Sequence, residues 1–343
     1  MPPSRCRRRK RYNPPKFKAC VSPFLSTNFG AIATFLFGLV FGSFLNVVIY
    51  RVPRRQSVVK PRSACPNCGA QIRAFDNIPV LSWIFLRGKC RHCAHPISSR
   101  YAIVELLCGF LFVSAYFYAA PVITIGAGSM PIWILIKAYA PVIKLCVFFF
   151  LLIPLIFIDY EHHLLPDVLT IPGLILGLIF SLVVPVGGMP VFAIRKMLAL
   201  RWPISAISAL DALAGALIGA LFIYVVGEIY FRVRHIEGMG FGDVKLMAMV
   251  GAFLGARLAL FVIFTGAILG TIFGLITTVA VWQKRMQRRQ KRREIHVLSR
   301  SWRSARLMLR YYEVPFGVFL GSMAILSAFV GNRMVNWYLG LYH

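Results

Sequence analysis

Acidic side chains are scarce in this chain: 11 Asp+Glu in 343 residues against 39 Lys+Arg, for a formal net charge of +28. Charge of either sign is thin as well. Only 15% of residues are charged, where a soluble domain carries about 25%. Hydrophobic residues make up 58%, and mean hydropathy is +0.71. These deficits exclude the two or three soluble domains that the length alone would allow. They point to a polytopic membrane protein. No internal repeat is visible. No small-residue cleavage site accompanies the first apolar run, which is long enough to span and reads as a retained helix rather than a signal peptide.

The surplus of positive charge is not spread like a nucleic-acid footprint. It falls mainly in residues 1–18, with 8 Lys/Arg, 51–100, with 10, and 282–312, with 11. Long apolar runs separate these blocks. Basic loops flanking spans are the pattern of cytoplasmic loops at an anionic leaflet, so no nucleic-acid partner is expected.

Eight helical spans are expected, near 29–50, 102–123, 132–158, 168–185, 207–230, 243–255, 257–281 and 315–338. Pro141 and Pro154 should kink the third, and the sixth is short for a crossing. With 51–100 placed in the cytoplasm, 159–167, 231–243 and 282–312 fall on the same side, and the uncharged 124–131 loop falls outside. The tail 1–18 conflicts with this orientation. The chain thus reads as an all-α polytopic membrane protein with a small four-cysteine, metal-binding cytoplasmic loop. Its divisions are a basic tail (1–28), a first span (29–50), the four-Cys loop (51–100), a membrane core (101–281), a basic cytoplasmic loop (282–312) and a last span (313–343).

Four of the eight cysteines are paired, as Cys65-Pro-Asn-Cys68 and, 21 residues later, Cys90-Arg-His-Cys93. Two such knuckles can set four thiolates in a tetrahedron around zinc. No open coordination position is evident, so a structural site is expected. A loop this size builds little core of its own, and a metal would supply the missing stability. Disulfides are disfavoured in the cytoplasm. The other cysteines (Cys6, Cys20, Cys108 and Cys146) have no ligand spacing.

The few acids are clustered. Five of the 11 lie in 159–167 and 237–243. In Asp159-Tyr-Glu161-His-His-Leu-Leu-Pro166-Asp167, the last residue suits the cap or first turn of the next helix. Asp159 suits its position poorly, because a negative charge at a helix C-terminus opposes the macrodipole. His162 and His163 read as interfacial polar residues, or less readily as acid/base groups or ligands. In Glu237-Gly-Met-Gly240-Phe-Gly242-Asp243-Val-Lys245 three glycines allow unusual backbone conformations, and Asp243 opens an apolar helix. On its own this motif also reads as a flexible turn with a capping Asp. Two aspartates at helix ends on one membrane face could form one site. Close carboxylates cannot both ionise, so one holds a proton while the other activates water, as in aspartic peptide hydrolysis.

Taken in order, these motifs resemble the type IV prepilin leader peptidases. The resemblance runs through Gly42-Ser-Phe-Leu-Asn46-Val-Val-Ile-Tyr-Arg51-Val-Pro53, the four-cysteine loop, Tyr101-Ala-Ile-Val-Glu105-Leu, Asp159 to Asp167, Gly240-Phe-Gly242-Asp243-Val-Lys245 and Val314-Pro-Phe-Gly317. It implies Asp159 and Asp243 as catalytic pair, with Asp167, Gly240, Gly242 and Lys245 in support. It implies cleavage of the basic leader of prepilins and pseudopilins at the cytoplasmic face of the bacterial inner membrane. It also implies N-methylation of the new terminus from S-adenosylmethionine, although no glycine-rich methyl-donor fingerprint is present. The pilus or type II secretion machinery would be an indirect partner, and membrane lipid the solvent. Local acids (Asp159, Glu161, Asp167, Glu237 and Asp243) would suit a basic leader. The rivals are a peptidase without methyl transfer, a cation- or proton-coupled transporter, and a zinc-dependent scaffold. A transporter would place its acids near the bilayer midplane rather than at span ends.

Overall fold

The structure, a computed structural model, describes residues 23–120, 131–185, 203–235, 240–291 and 315–340. The basic tail 1–18, the 124–130 part of the outer loop, Glu237, and the 292–312 part of the last basic block lie outside these residues. Ten α-helices account for most of the described chain: α1 (Pro23–Arg51), α2 (Leu81–Phe85), α3 (Arg100–Ala119), α4 (Ile132–His162), α5 (Asp167–Val183), α6 (Ile204–Arg234), α7 (Phe241–Leu254), α8 (Ala256–Lys291), α9 (Phe316–Leu326) and α10 (Asn332–Gly340). A π-helical turn, Ser327–Gly331, joins the last two into one rod.

Six of these segments are long and apolar enough to cross a membrane, and the protein is a multi-pass membrane protein. The remaining two expected spans are also helices but shorter. α5 has 17 residues and α7 has 14. At 1.5 Å per residue α7 reaches about 21 Å, short of a hydrocarbon core of about 30 Å. It compensates by burial in protein. Leu246 to Phe253 are all buried, and α5, α6, α8 and α9 pack around it. A helix that is apolar on every side belongs in such a position.

Small residues let the helices approach. A Cβ at Gly38 would lie 2.7 Å from the Gly109 Cα, and one at Gly42 would lie 2.7 Å from the Glu105 Cα, so α1 and α3 meet backbone to backbone. On α6, Gly215 and Gly219 form a small-x-x-x-small face against α7. A Cβ on Gly215 or Gly251 would run into the other's carbonyl oxygen, and one on Gly219 would sit 2.7 Å from the Met247 oxygen. Phe148 of α4 packs on Phe253 of α7 with ring centroids 4.9 Å apart, tying the two central helices together.

Several helices run past the expected ends, α4 and α8 among them. α4 continues from 158 to His162, with Pro141 and Pro154 inside it. Its terminal acids are tolerated because partners from other helices meet them, as described below. α8 continues into the basic block as far as Lys291. Cations at a helix C-terminus oppose no dipole, and Lys, Arg and Gln are good helix formers.

Candidate active site

Asp159 is the fourth residue from the end of α4. Its carbonyl accepts the N–H of His163 at 2.9 Å, where the chain turns left-handed (φ 52°, ψ 38°) and ends the helix. The carboxylate is buried. Its Oδ2 accepts the backbone N–H of Val318 at 2.9 Å. Val318 lies in the first turn of α9, where N–H groups have no intrahelical partner. The acid that ends one helix is thus held by the start of another, which resolves the mismatch with its own helix dipole. Gly317 makes room for it, since a Cβ there would lie 2.9 Å from that oxygen.

Asp243 is the third residue of α7 and is also buried. Its N–H donates to the Gly240 carbonyl at 3.0 Å. It lies within electrostatic range of Asp159, and Gly242 beside it and Gly317 beside Asp159 both close on Leu165, so the two acids stand at the same end of the bundle. The glycines beside it act through size rather than backbone freedom. Gly240 is ordinary extended backbone (φ −74°, ψ 145°). A Cβ on Gly242 would lie 2.8 Å from the Leu165 Cβ, while one on Gly240 would meet nothing nearer than 3.9 Å. Gly242 is required by packing, and Gly240 leaves space before the Asp243 carboxylate.

Asp167 is the first residue of α5, with Pro166 as its cap. It makes no side-chain cap. Both of its oxygens instead accept from the Lys245 ammonium, at 2.6 and 2.8 Å. Lys245 is two residues beyond Asp243, so this pair joins α5 to α7 beside the site. Glu161 pairs with Arg100 at the start of α3. Two acids expected to face a basic leader are therefore already engaged within the chain. His163 is exposed and electrostatically close to Asp159. His162 is half-buried.

A second polar cluster joins two of the motifs that carry the resemblance, to whose residues the sequence alone assigned no individual roles. Asn46 donates to the Tyr101 carbonyl at 3.0 Å. The buried Glu105 accepts the N–H of Val80 at 2.7 Å, where Val80 holds φ 61°. A β-branched residue at positive φ is strained, and this hydrogen bond helps to keep it there. Gly42-to-Asn46 and Tyr101-to-Glu105 thus face each other and anchor the four-cysteine loop. Lys144 and Asp211 are also buried and electrostatically coupled, deeper in the bundle.

The four cysteines converge. The Sγ atoms of Cys65, Cys68, Cys90 and Cys93 all lie within 4.8 Å of one another, with Cys65 and Cys93 3.8 Å apart. A tetrahedral thiolate site with bonds of about 2.3 Å has edges of about 3.8 Å, so the cluster fits a metal ion. Both knuckles close alike. Cys65 donates to Ala70 and Gly69 to Cys65, while Cys90 donates to His95 and Ala94 to Cys90, all at 2.9–3.0 Å. The His95 N–H, with the Asn67 amide, draws the Cys93 thiol down to about 6, while Cys68, despite the Ala70 N–H that lowers it, is pushed up to about 11 by desolvation and the neighbouring sulfurs, so the four thiols share their protons unevenly. Arg91 clasps Asp76 across the loop at 2.6 Å and holds its carboxyl below the usual range. The purified protein should carry about one ion per chain, and Cys65→Ser should release it, read by elemental analysis. Metal-free protein from metal-replete cells would overturn this assignment.

The chain matches two family models. Residues 36–119 match the Bacterial Peptidase A24 N-terminal domain, and residues 146–275 match the Type IV leader peptidase family. Among curated relatives, a prepilin leader peptidase/N-methyltransferase of Myxococcus xanthus is 37% identical over 250 residues, covering 73% of this chain and 64% of that protein. One from Dichelobacter nodosus is 36% identical over 282 residues, covering 74% and 86%. One from Aeromonas hydrophila is 31% identical over 329 residues, covering 89% and 92%. No solved structure matches. A helical membrane bundle with two buried aspartates at one end, matched along most of its length by these relatives, belongs to the type IV leader peptidase family.

Proposed function

We propose that the chain removes the basic leader of type IV prepilins and pseudopilins, with Asp159 and Asp243 as the catalytic dyad. It then N-methylates the exposed terminus from S-adenosylmethionine. The observation that carries this reading is that two buried carboxylates from distant helices lie within electrostatic range of each other at one end of the bundle. That end holds the last turn of α4 and the first turns of α7 and α9. Asp159, oriented by the Val318 N–H, and Asp243 share a proton because like charges this close cannot both persist. The ionised member takes a proton from water as it attacks the scissile carbonyl. The protonated member stabilises the oxyanion and later supplies the proton the leaving amine needs. Gly240 leaves the approach to Asp243 open. Lys245 and Asp167 keep α5 and α7 in register while the site works.

The positive charge of the 51–100 loop supports a site at the cytoplasmic face of the inner membrane. Zinc is the ion expected in the four-thiolate cluster, where it holds the loop rather than reacts. Methyl transfer rests on likeness to relatives named for both activities. The test uses the full chain reconstituted in vesicles with a prepilin and S-adenosylmethionine, reading the product N-terminus by mass. The expected product has lost its leader and gained one methyl group on the new terminus. Uncut prepilin would overturn the peptidase reading. A cut but unmethylated product would restrict the chain to hydrolysis.

A further inference from the structure

The four-cysteine loop carries its apolar side chains on the outside. In α2, Leu81, Ile84 and Phe85 share one face by their i, i+3, i+4 spacing, and all three are exposed, Phe85 by 80%. Trp83 turns the other way, donating its ring N–H to the Ile97 carbonyl at 3.2 Å. Phe75, just before α2, is 81% exposed. A small loop standing in water would bury such side chains and expose polar ones.

The height of α2 against the bundle supplies the reason. Val80, the residue before α2, is held by Glu105. Glu105 lies five residues inside α3, about 8 Å from its start at 1.5 Å per residue. It is level with Gly42 of α1, nine residues, or about 13 Å, from the end of that helix. The strained Val80 thus pins the start of α2 beside the last apolar turns of α1 and the first of α3 rather than above them. The loop around it is strongly basic. Residues 51–100 hold ten Lys/Arg and a single acid, Asp76, which Arg91 already engages.

We infer that α2 lies in the membrane interface on the side where α1 ends. Leu81, Ile84, Phe85 and Phe75 dip among the acyl chains of an anionic leaflet, and the loop's cations meet its headgroups. Short apolar faces rimmed by Lys and Arg bind membranes in this way, and each cation near an anionic surface adds to the attraction. The loop is then a monotopic foot, folded around its metal and seated on lipid. The inference does not depend on the peptidase reading, since it rests on depth, exposure and charge alone.

Photo-crosslinking tests it. Full-length protein with p-benzoylphenylalanine in place of Phe85, and separately of Phe75, is reconstituted in phosphatidylethanolamine vesicles containing phosphatidylglycerol. It is irradiated with and without added prepilin. Phospholipid adducts should be the main product at both positions and should increase with the phosphatidylglycerol fraction. A main product on prepilin or on a second copy of the chain would overturn the inference, as would adducts absent at both positions. The unsubstituted protein gives an independent measure. Under hydroxyl-radical labelling in the same vesicles Phe75 and Phe85 should stay unmodified while the exposed His92 is oxidised. Equal labelling of all three would also overturn it.

Discussion

Asp159→Asn and Asp243→Asn should each lower prepilin cleavage by about a thousandfold or more, in the range expected when a general acid or base is lost, while the protein still inserts. Asn keeps the volume, and at 159 the hydrogen bond to Val318, but can neither take nor give the proton. Full-length prepilin in vesicles, with leader loss followed by mass, is the measurement. Near wild-type cleavage by either variant would remove that residue from the dyad. Asp167→Asn is the internal comparison. Its amide oxygen still accepts from Lys245, which now gives to both oxygens of Asp167, so most activity should survive. Equal inactivation by all three would place Asp167 in the chemistry.

The crossing of α6 and α7 should be the most fragile point of the fold. Gly215 and Gly251 face each other so closely that a methyl group on either meets the opposite backbone carbonyl. A flexible side chain could yield, but two packed helices cannot. Overpacking costs about 1–3 kcal/mol where neighbours can adjust, and Gly251→Leu should exceed that range. Because α7 carries Asp243 at its first turn, the same change should abolish cleavage. Gly274→Ala is the control. It lies on α8 with nothing within 4 Å of its added Cβ, and Ala for Gly within a helix stabilises by about 0.5–1 kcal/mol. Thermal unfolding in detergent should show a large loss for Gly251→Leu and none for Gly274→Ala. A folded, active Gly251→Leu protein would show that the helices are not locked at this crossing.

What the sequence disclosed depended on range. Apolar runs locate every main helix, because a span is a local property of about 20 residues. The four cysteines announce themselves by spacing, and the structure brings their sulfurs together. Asp159 stands out as an acid at the wrong end of a helix, yet its partner is the N–H of Val318, 159 residues away. No local pattern could supply that contact. The same holds for Glu105, which reads as one acid in an apolar run and proves to anchor Val80. The glycines before Asp243 suggest an unusual backbone, whereas Gly242 is needed for what stands beside it. Acids counted as free for a basic leader, Glu161 and Asp167, have their own cations. Charge content is legible in a sequence, but charge pairing is not.

Leu165 sits in the short link between α4 and α5, and two glycines of the site, Gly242 and Gly317, close upon it. A Cβ on Gly242 would lie 2.8 Å from its Cβ, and one on Gly317 would lie 3.1 Å from its Cδ1. One of these glycines precedes Asp243, and the other makes room for Asp159. The leucine therefore stands between the supports of two acids, as a shim stands in a mechanical bearing. Residues 165, 242 and 317 are remote along the chain but form one dimension of the molecule, so a change in the bulk of any of them is felt at both carboxylates together.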